Sequence, residues 1–121
     1  MGAIDYKGGL YHDNIYATGG DVAGTYYSDW IDVSHYNEIE AYVQMSDTAN
    51  RVDETVDITV EKYAPIGNVT TCTFTQLTAD GTERKEDTAY IGGRVRFKIV
   101  LAGTFTNFTT RIRTWLYAKR I

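Results

Sequence analysis

The stretch "SDWIDVSHYNEIEAYVQM", residues 28–45, decides the fold class. Its second half alternates strictly: Ile39, Ala41 and Val43 fall on one face, and Glu38, Glu40, Tyr42 and Gln44 on the other. A two-residue period is that of a β-strand with one buried face. The first half carries Trp30 and Ile31 into a polar turn, where Asp32, Ser34 and Asn37 are suited to satisfy backbone groups. Trp30 has the largest apolar area here, so we expect it to point inward as an anchor near one end of the core.

The same period recurs along the chain. Val56, Ile58 and Val60 alternate with Asp57, Thr59 and Glu61. Val95, Phe97, Ile99 and Leu101 alternate with Arg94, Arg96 and Lys98. Ile112, Thr114, Leu116 and Ala118 alternate with Arg111, Arg113, Trp115, Tyr117 and Lys119. Further strands are expected at 10–17, at 24–33 with a break near Ser28–Asp29, at 69–77 after the Pro65–Gly67 turn, and around 85–91. Asp80-Gly81 has the composition of a type I′ hairpin turn. No segment holds apolar residues at helical spacing. About eight strands, each with one apolar face, predict an all-β protein: an antiparallel β-sandwich, as a jelly roll. Residues 45–54 read as an exposed loop. Residues 1–20, with two Gly-Gly pairs and little alternation, read as an extended N-terminal arm, and 21–121 as a single sandwich domain.

Composition agrees. The 121 residues suit one domain, and ten Tyr with abundant Thr favour pleated surfaces. No apolar run approaches the ~20 residues of a membrane helix. No export signal opens the chain, so synthesis in the cytoplasm is expected, and the sequons at Asn68 and Asn107 then carry no sugar. The one cysteine, Cys72, is expected to be a small buried hydrophobe beside Phe74. Charge is uneven. Residues 1–60 hold Lys7 and Arg51 against eleven carboxylates, and residues 61–121 hold ten Lys and Arg against five. Either acidic and basic strands lie side by side, or the acidic surface of one copy meets the basic surface of the next.

The residues for chemistry are sparse. His35 beside Ser34 lies in a turn that does not set the imidazole on the hydroxyl. His12-Asp13 lacks a third ligand at metal spacing. Glu38 and Glu40 share a strand face, as a glycosidase pair would, but also as any solvated strand does. No enzyme, cofactor or metal is expected. Outward Trp115 and Tyr117, with Tyr42 and Tyr63 on a neighbouring strand, suit a sugar platform, a subunit interface, or packing beneath the arm. Arg96, Lys98, Arg111 and Arg113 form a basic patch if their two strands are neighbours. They lack the interleaved aromatics of a single-strand nucleic-acid surface.

Three stretches carry a resemblance: "YYSDWIDVSHYNEIEAYVQM", "TADGT", and "YIGGRVRFKIVLAGTFTNFTTRIRTWLYAKR". Over about residues 25–120 the chain resembles small β-sandwich virion proteins of tailed bacteriophages. The matching positions are Ser28 to Ser34, Arg94 to Lys98, Gly103-Thr104 and Thr109 to Lys119. The resemblance implies a capsid decoration protein, a homotrimer on the capsid exterior. Its partner is the major capsid protein, and neither nucleic acid nor membrane is implied. The contact residues it suggests are Tyr6, Leu10 and Tyr11 of the arm, with Tyr42, Arg96, Arg111, Arg113, Trp115 and Tyr117. A carbohydrate-binding module of a fibre, tail or baseplate appendage is the alternative.

Overall fold

The computed structural model describes residues 3–6 and 9–17 in their backbone, and residues 23–36, 38–87 and 93–119 throughout. Ten strands run β1 (Ala3–Tyr6), β2 (Gly9–Ala17), β3 (Gly24–Tyr27), β4 (Ile31–Asp32), β5 (Glu38–Ala49), β6 (Thr55–Lys62), β7 (Val69–Thr73), β8 (Gly81–Asp87), β9 (Arg94–Ala102) and β10 (Thr109–Lys119). No helix occurs among the described residues. One sheet has the order β1-β2-β10-β5-β8 and the other β3-β9-β6-β7, with β4 also on β9. All pairings between these strands are antiparallel. The protein is an all-β sandwich, as its alternation demands.

The two sheets meet over one cluster of buried side chains. In the first sheet Ile39, Ala41, Val43 and Met45 stand opposite Ala118, Leu116, Thr114 and Ile112. In the second Val56, Ile58 and Val60 stand opposite Leu101, Ile99 and Phe97. All of them are buried. Fully burying a Val, Leu, Ile or Phe side chain contributes about 1.5–3 kcal/mol, so this layer dominates the stability. Cys72 and Phe74 are buried in it too, and burial pushes the Cys72 thiol pKa up.

The break in 24–33 falls where expected. The Ser28 amide donates to the Phe97 carbonyl at 3.0 Å, and the Phe97 amide donates to Ser28 Oγ at 2.9 Å. This exchange ends β3 and sets Ile31 opposite Val95. Trp30 corrects the expectation: it is half-buried, outside the core cluster, while Ile31 and Val33 are inside it. Strand period outranks ring size here. Once Ile31 faces in, its neighbour must face out. Asp32 then caps the corner, its Oδ1 accepting from the Ser34 amide at 2.9 Å. Asn37 lies outside the described residues.

Other departures concern connections. β8 pairs with β5, not β7, so the Asp80-Gly81 segment crosses between sheets and is no hairpin. Asp80 instead accepts from the Thr48 amide at 3.2 Å. β5 continues through the expected loop to Ala49, because Ser46 and Ala49 pair with Arg111 and Thr109 across an irregularity. Within the stretch read as an arm, β1 and β2 join the sheet: β2 runs in register with β10 from Gly9↔Lys119 to Ala17↔Arg111. Residues 1, 2, 7, 8 and 18–22 lie outside the described residues.

One end of the sandwich is latched. Buried Glu54 accepts from the amides of Val52 at 2.7 Å and Phe105 at 2.9 Å, and these bonds hold its carboxyl below the usual range. Asp53 accepts from the Thr104 amide and hydroxyl at 3.0 and 2.8 Å. Gly103 permits the approach: its φ is +131°, and a Cβ there would stand 2.7 Å from Glu54 Cα.

Two stability predictions follow from this packing. Gly103→Ala strains both backbone and contact and is expected to cost more than about 1 kcal/mol, read as a lower midpoint in urea unfolding. Thr114 Oγ1 is buried with no hydrogen-bond partner among the described residues. Thr114→Val removes that unpaired hydroxyl and is expected to raise stability by about 1 kcal/mol, read as a higher Tm by circular dichroism. An unchanged or lower Tm would show the hydroxyl to be satisfied.

Candidate functional site

The outer face of the first sheet collects the side chains that the core leaves over from β5, β8 and β10. Tyr42 and Trp115 are register partners, and their rings stack with centroids 5.2 Å apart and planes 3° off parallel. The Arg113 guanidinium lies 5.5 Å from the Trp115 centroid. Tyr117 follows two residues along β10, opposite Glu40. The expectation of an aromatic group at Tyr42, Trp115 and Tyr117 therefore holds. Tyr63 does not join it. It follows β6 in the other sheet and meets Trp30 edge-on at 5.8 Å.

Below the stacked rings lies an ion-pair centre at Glu40. The Glu40 carboxylate meets Arg84 Nη2 at 3.1 Å and Lys119 Nζ, and accepts from the Tyr42 hydroxyl at 2.9 Å. Lys119 also reaches Glu38 at 3.6 Å, and Arg84 reaches Glu86 at 2.8 Å. Part of the uneven charge of the sequence is paired within the chain at this point. The acidic strand β5 sits between β8 and β10 and finds its cations on both sides. Arg84 first and Lys119 second draw the Glu40 carboxyl down from 4.5 to about 2, against the effect of burial. Glu40 is thus held ionised, the opposite of what a general acid needs. Tyr42 is positioned by it: the same carboxylate that gathers the cations holds the tyrosine hydroxyl.

The four-residue basic patch is corrected. Arg96 and Lys98 lie on β9 and Arg111 and Arg113 on β10, in different sheets, so the pairs lie on opposite faces. Arg96 is also taken up, its Nε 2.7 Å from Glu61. Arg111 lies 3.5 Å from Asp47. For Tyr6, Leu10 and Tyr11 the side chains lie outside the described residues. Their backbone places Leu10 opposite Ala118 and Tyr11 opposite Tyr117 in the β2–β10 ladder. The position of Tyr11 beside Tyr117 was not legible before the register was known.

A second surface, on the outer face of the other sheet, is hidden from a sequence reading that places Trp30 in the core. Here aromatic rings and guanidinium groups alternate. Arg96 lies 3.9 Å from the Tyr27 centroid and 4.3 Å from that of Trp30. Arg94 lies 4.1 Å from the Tyr63 centroid and 5.6 Å from that of Trp30. An open groove of about 490 Å³ runs along Trp30, Asp32, Tyr63, Gly93 and Arg94. The available signal was the outward position of Trp30 implied by Ile31. His35 is exposed in the turn after Ser34. Among the described residues no group of three or more His, Cys, Asp and Glu gathers as metal ligands. No described helix is long and apolar enough to cross a membrane.

The Glu40 centre makes stability depend on pH with a definite sign. Its carboxyl is depressed on folding, so the stabilisation is complete above about 4.5 and is lost as pH falls towards about 2. Glu40→Gln is expected to lower stability at pH 7 by on the order of 1 kcal/mol, since Arg84 and Lys119 are partly solvated. The difference from the parent should close between pH 4.5 and 2 in parallel urea titrations. A gap that stays constant over that window would show that the ion pairs contribute nothing. Comparison of the chain with protein-family models, with curated proteins and with solved structures finds no match.

Proposed function

We propose that this chain is a structural protein of a tailed-bacteriophage virion, a decoration protein that binds the outside of the head as a trimer and stabilises the shell. The observation that carries the reading is the strand order. With β2-β10-β5-β8 facing β3-β9-β6-β7, we read the sandwich as a jelly roll, an architecture used by viral capsid domains and by lectins. That order alone does not choose between them, because one fold hosts many functions. The resemblance to virion proteins adds weight, and two of its segments are neighbours in the fold: Ile31 and Asp32 pair with Val95 and Arg94.

The proposed contact surface is the outer face of the first sheet. Tyr42, Trp115 and Tyr117 supply aromatic area of the kind enriched at interfaces, and the paired charges around Glu40 need little desolvation at its rim. Each copy makes modest contacts. Threefold linkage and repetition over the shell turn them into durable attachment. The carbohydrate alternative, with Trp115 and Tyr117 as a platform, is weaker at this place. Trp115 already spends one ring face on Tyr42.

The test is co-sedimentation of the purified protein with expanded heads that lack it, together with its mass by light scattering. Saturable binding and a mass near three chains are expected. Replacing Trp115 and Tyr117 together with Ala should weaken binding roughly tenfold or more, the scale of interface hot spots. A monomer at all concentrations, or heads that sediment bare, would overturn the proposal. Binding to a glycan array that is lost in Trp115→Ala would favour the alternative.

A further inference from the structure

The geometry points to a binding site for an acidic sugar, a pyranose bearing a carboxylate, in the groove between Trp30, Tyr63 and Arg94. This site lies on the sheet opposite the proposed head-binding face, and the inference does not depend on that proposal.

Arg94 is the centre of the argument. It forms no ion pair among the described residues, whereas its neighbour Arg96 is engaged by Glu61. Its guanidinium lies 4.1 Å from the Tyr63 ring centroid. A guanidinium on an aromatic face spends that face only. Its in-plane N–H donors remain able to take a carboxylate two-pronged. The contact with the ring also narrows the positions open to the group before any ligand arrives, which lowers the ordering cost of binding.

The other walls select among anions. Asp32 is the register partner of Arg94, and the Ser34 amide holds its carboxylate in place. A bare anion in the groove would sit beside that negative charge and be repelled. A ligand that places its carboxylate on Arg94 and hydroxyl donors on Asp32 turns the repulsion into hydrogen bonds. Half-buried Trp30 and exposed Tyr63 each carry a guanidinium over the ring, and what they offer the body of such a ligand is apolar ring edge. Hydroxyls, carboxylate and an apolar ring edge together describe a uronic or sialic acid residue. An acidic peptide fits less well. A peptide strand needs a free sheet edge to pair with, and the strand lining the groove, β4, has two residues. The volume, about 490 Å³, is within the usual range of small-molecule sites.

The chain has two tryptophans, Trp30 and Trp115, so fluorescence can be made specific. In a Trp115→Phe background, Trp30 alone reports. Titration with a glucuronic-acid oligosaccharide is expected to change its emission saturably. Glucose oligosaccharide and acetate should have at least tenfold weaker effects. Arg94→Gln should weaken acidic-sugar binding at least tenfold, and Arg94→Lys should lose part of it, since charge remains but the fork is gone. Both replace an exposed side chain, and circular dichroism checks their fold. Co-sedimentation of Arg94→Gln with heads should match the parent, which separates failure here from failure of head binding. The inference is overturned if glucuronic- and sialic-acid oligosaccharides give no saturable change at millimolar concentration. It is also overturned if Arg94→Gln binds like the parent, if neutral sugar binds equally, or if only an acidic peptide binds.

Discussion

The constraint on which everything else rests is the shared interior between β5–β10 and β6–β9. Phe97, Ile58, Ile99, Val43, Ile112 and Leu116 are each essentially inaccessible to water. At about 1.5–3 kcal/mol per side chain their burial far exceeds the surface ion pairs, which contribute about 0–1 kcal/mol apiece. The order of effects has a structural meaning. Because the core sets the register, the outward residues are placed by default, two residues apart and opposite their partners, whatever chemistry they carry. The Tyr42–Trp115 stack and the Arg94–Tyr63 contact are consequences of that registration and not its cause.

Much of this was legible in the sequence, and the reason is local. Strand periodicity is written in consecutive residues, so β5, β6, β9 and β10 could be read with their inward faces. The corner at Asp32 and Ser34 and the turn at Gly67 are likewise short-range, the latter closed by a bond from the Gly67 amide to the Ala64 carbonyl at 3.1 Å. What could not be read is which strand lies beside which. β9 and β10 are consecutive and carry similar basic faces, yet they belong to different sheets. That separation dissolves the expected patch of Arg96, Lys98, Arg111 and Arg113. Asp80-Gly81 misled for the same reason: turn composition describes a change of direction, not whether the chain returns to the same sheet.

Trp30 shows a competition of two rules. Burying a large ring is favourable, and a sequence reading that ranks residues by apolar area sends it inward. In the fold the alternation set by Ile31 and Val33 prevails, because turning Trp30 in would turn both of them out. The ring regains part of the lost contact area by lying 4.3 Å from the Arg96 guanidinium and edge-on to Tyr63. An outward tryptophan that rests on guanidinium groups and the edge of another ring gains less than one in the core. It is better matched to a surface that something else completes.

The two outer faces therefore differ in kind. On the first, cation and carboxylate are matched within the chain: Glu40 gathers Arg84 and Lys119, and the stacked rings stand beside a neutralised field. A partner approaching it meets aromatic area and, among the described residues, charges that are largely paired, which suits a broad contact. On the second, the matching is incomplete. Glu61 satisfies Arg96, but Arg94 is stacked without an ion-pair partner among the described residues and faces an open groove. A guanidinium on an aromatic ring at the edge of a groove favours a small complementary group over a wide flat one. One sandwich can hold both surfaces because its stability is secured in the layer between them.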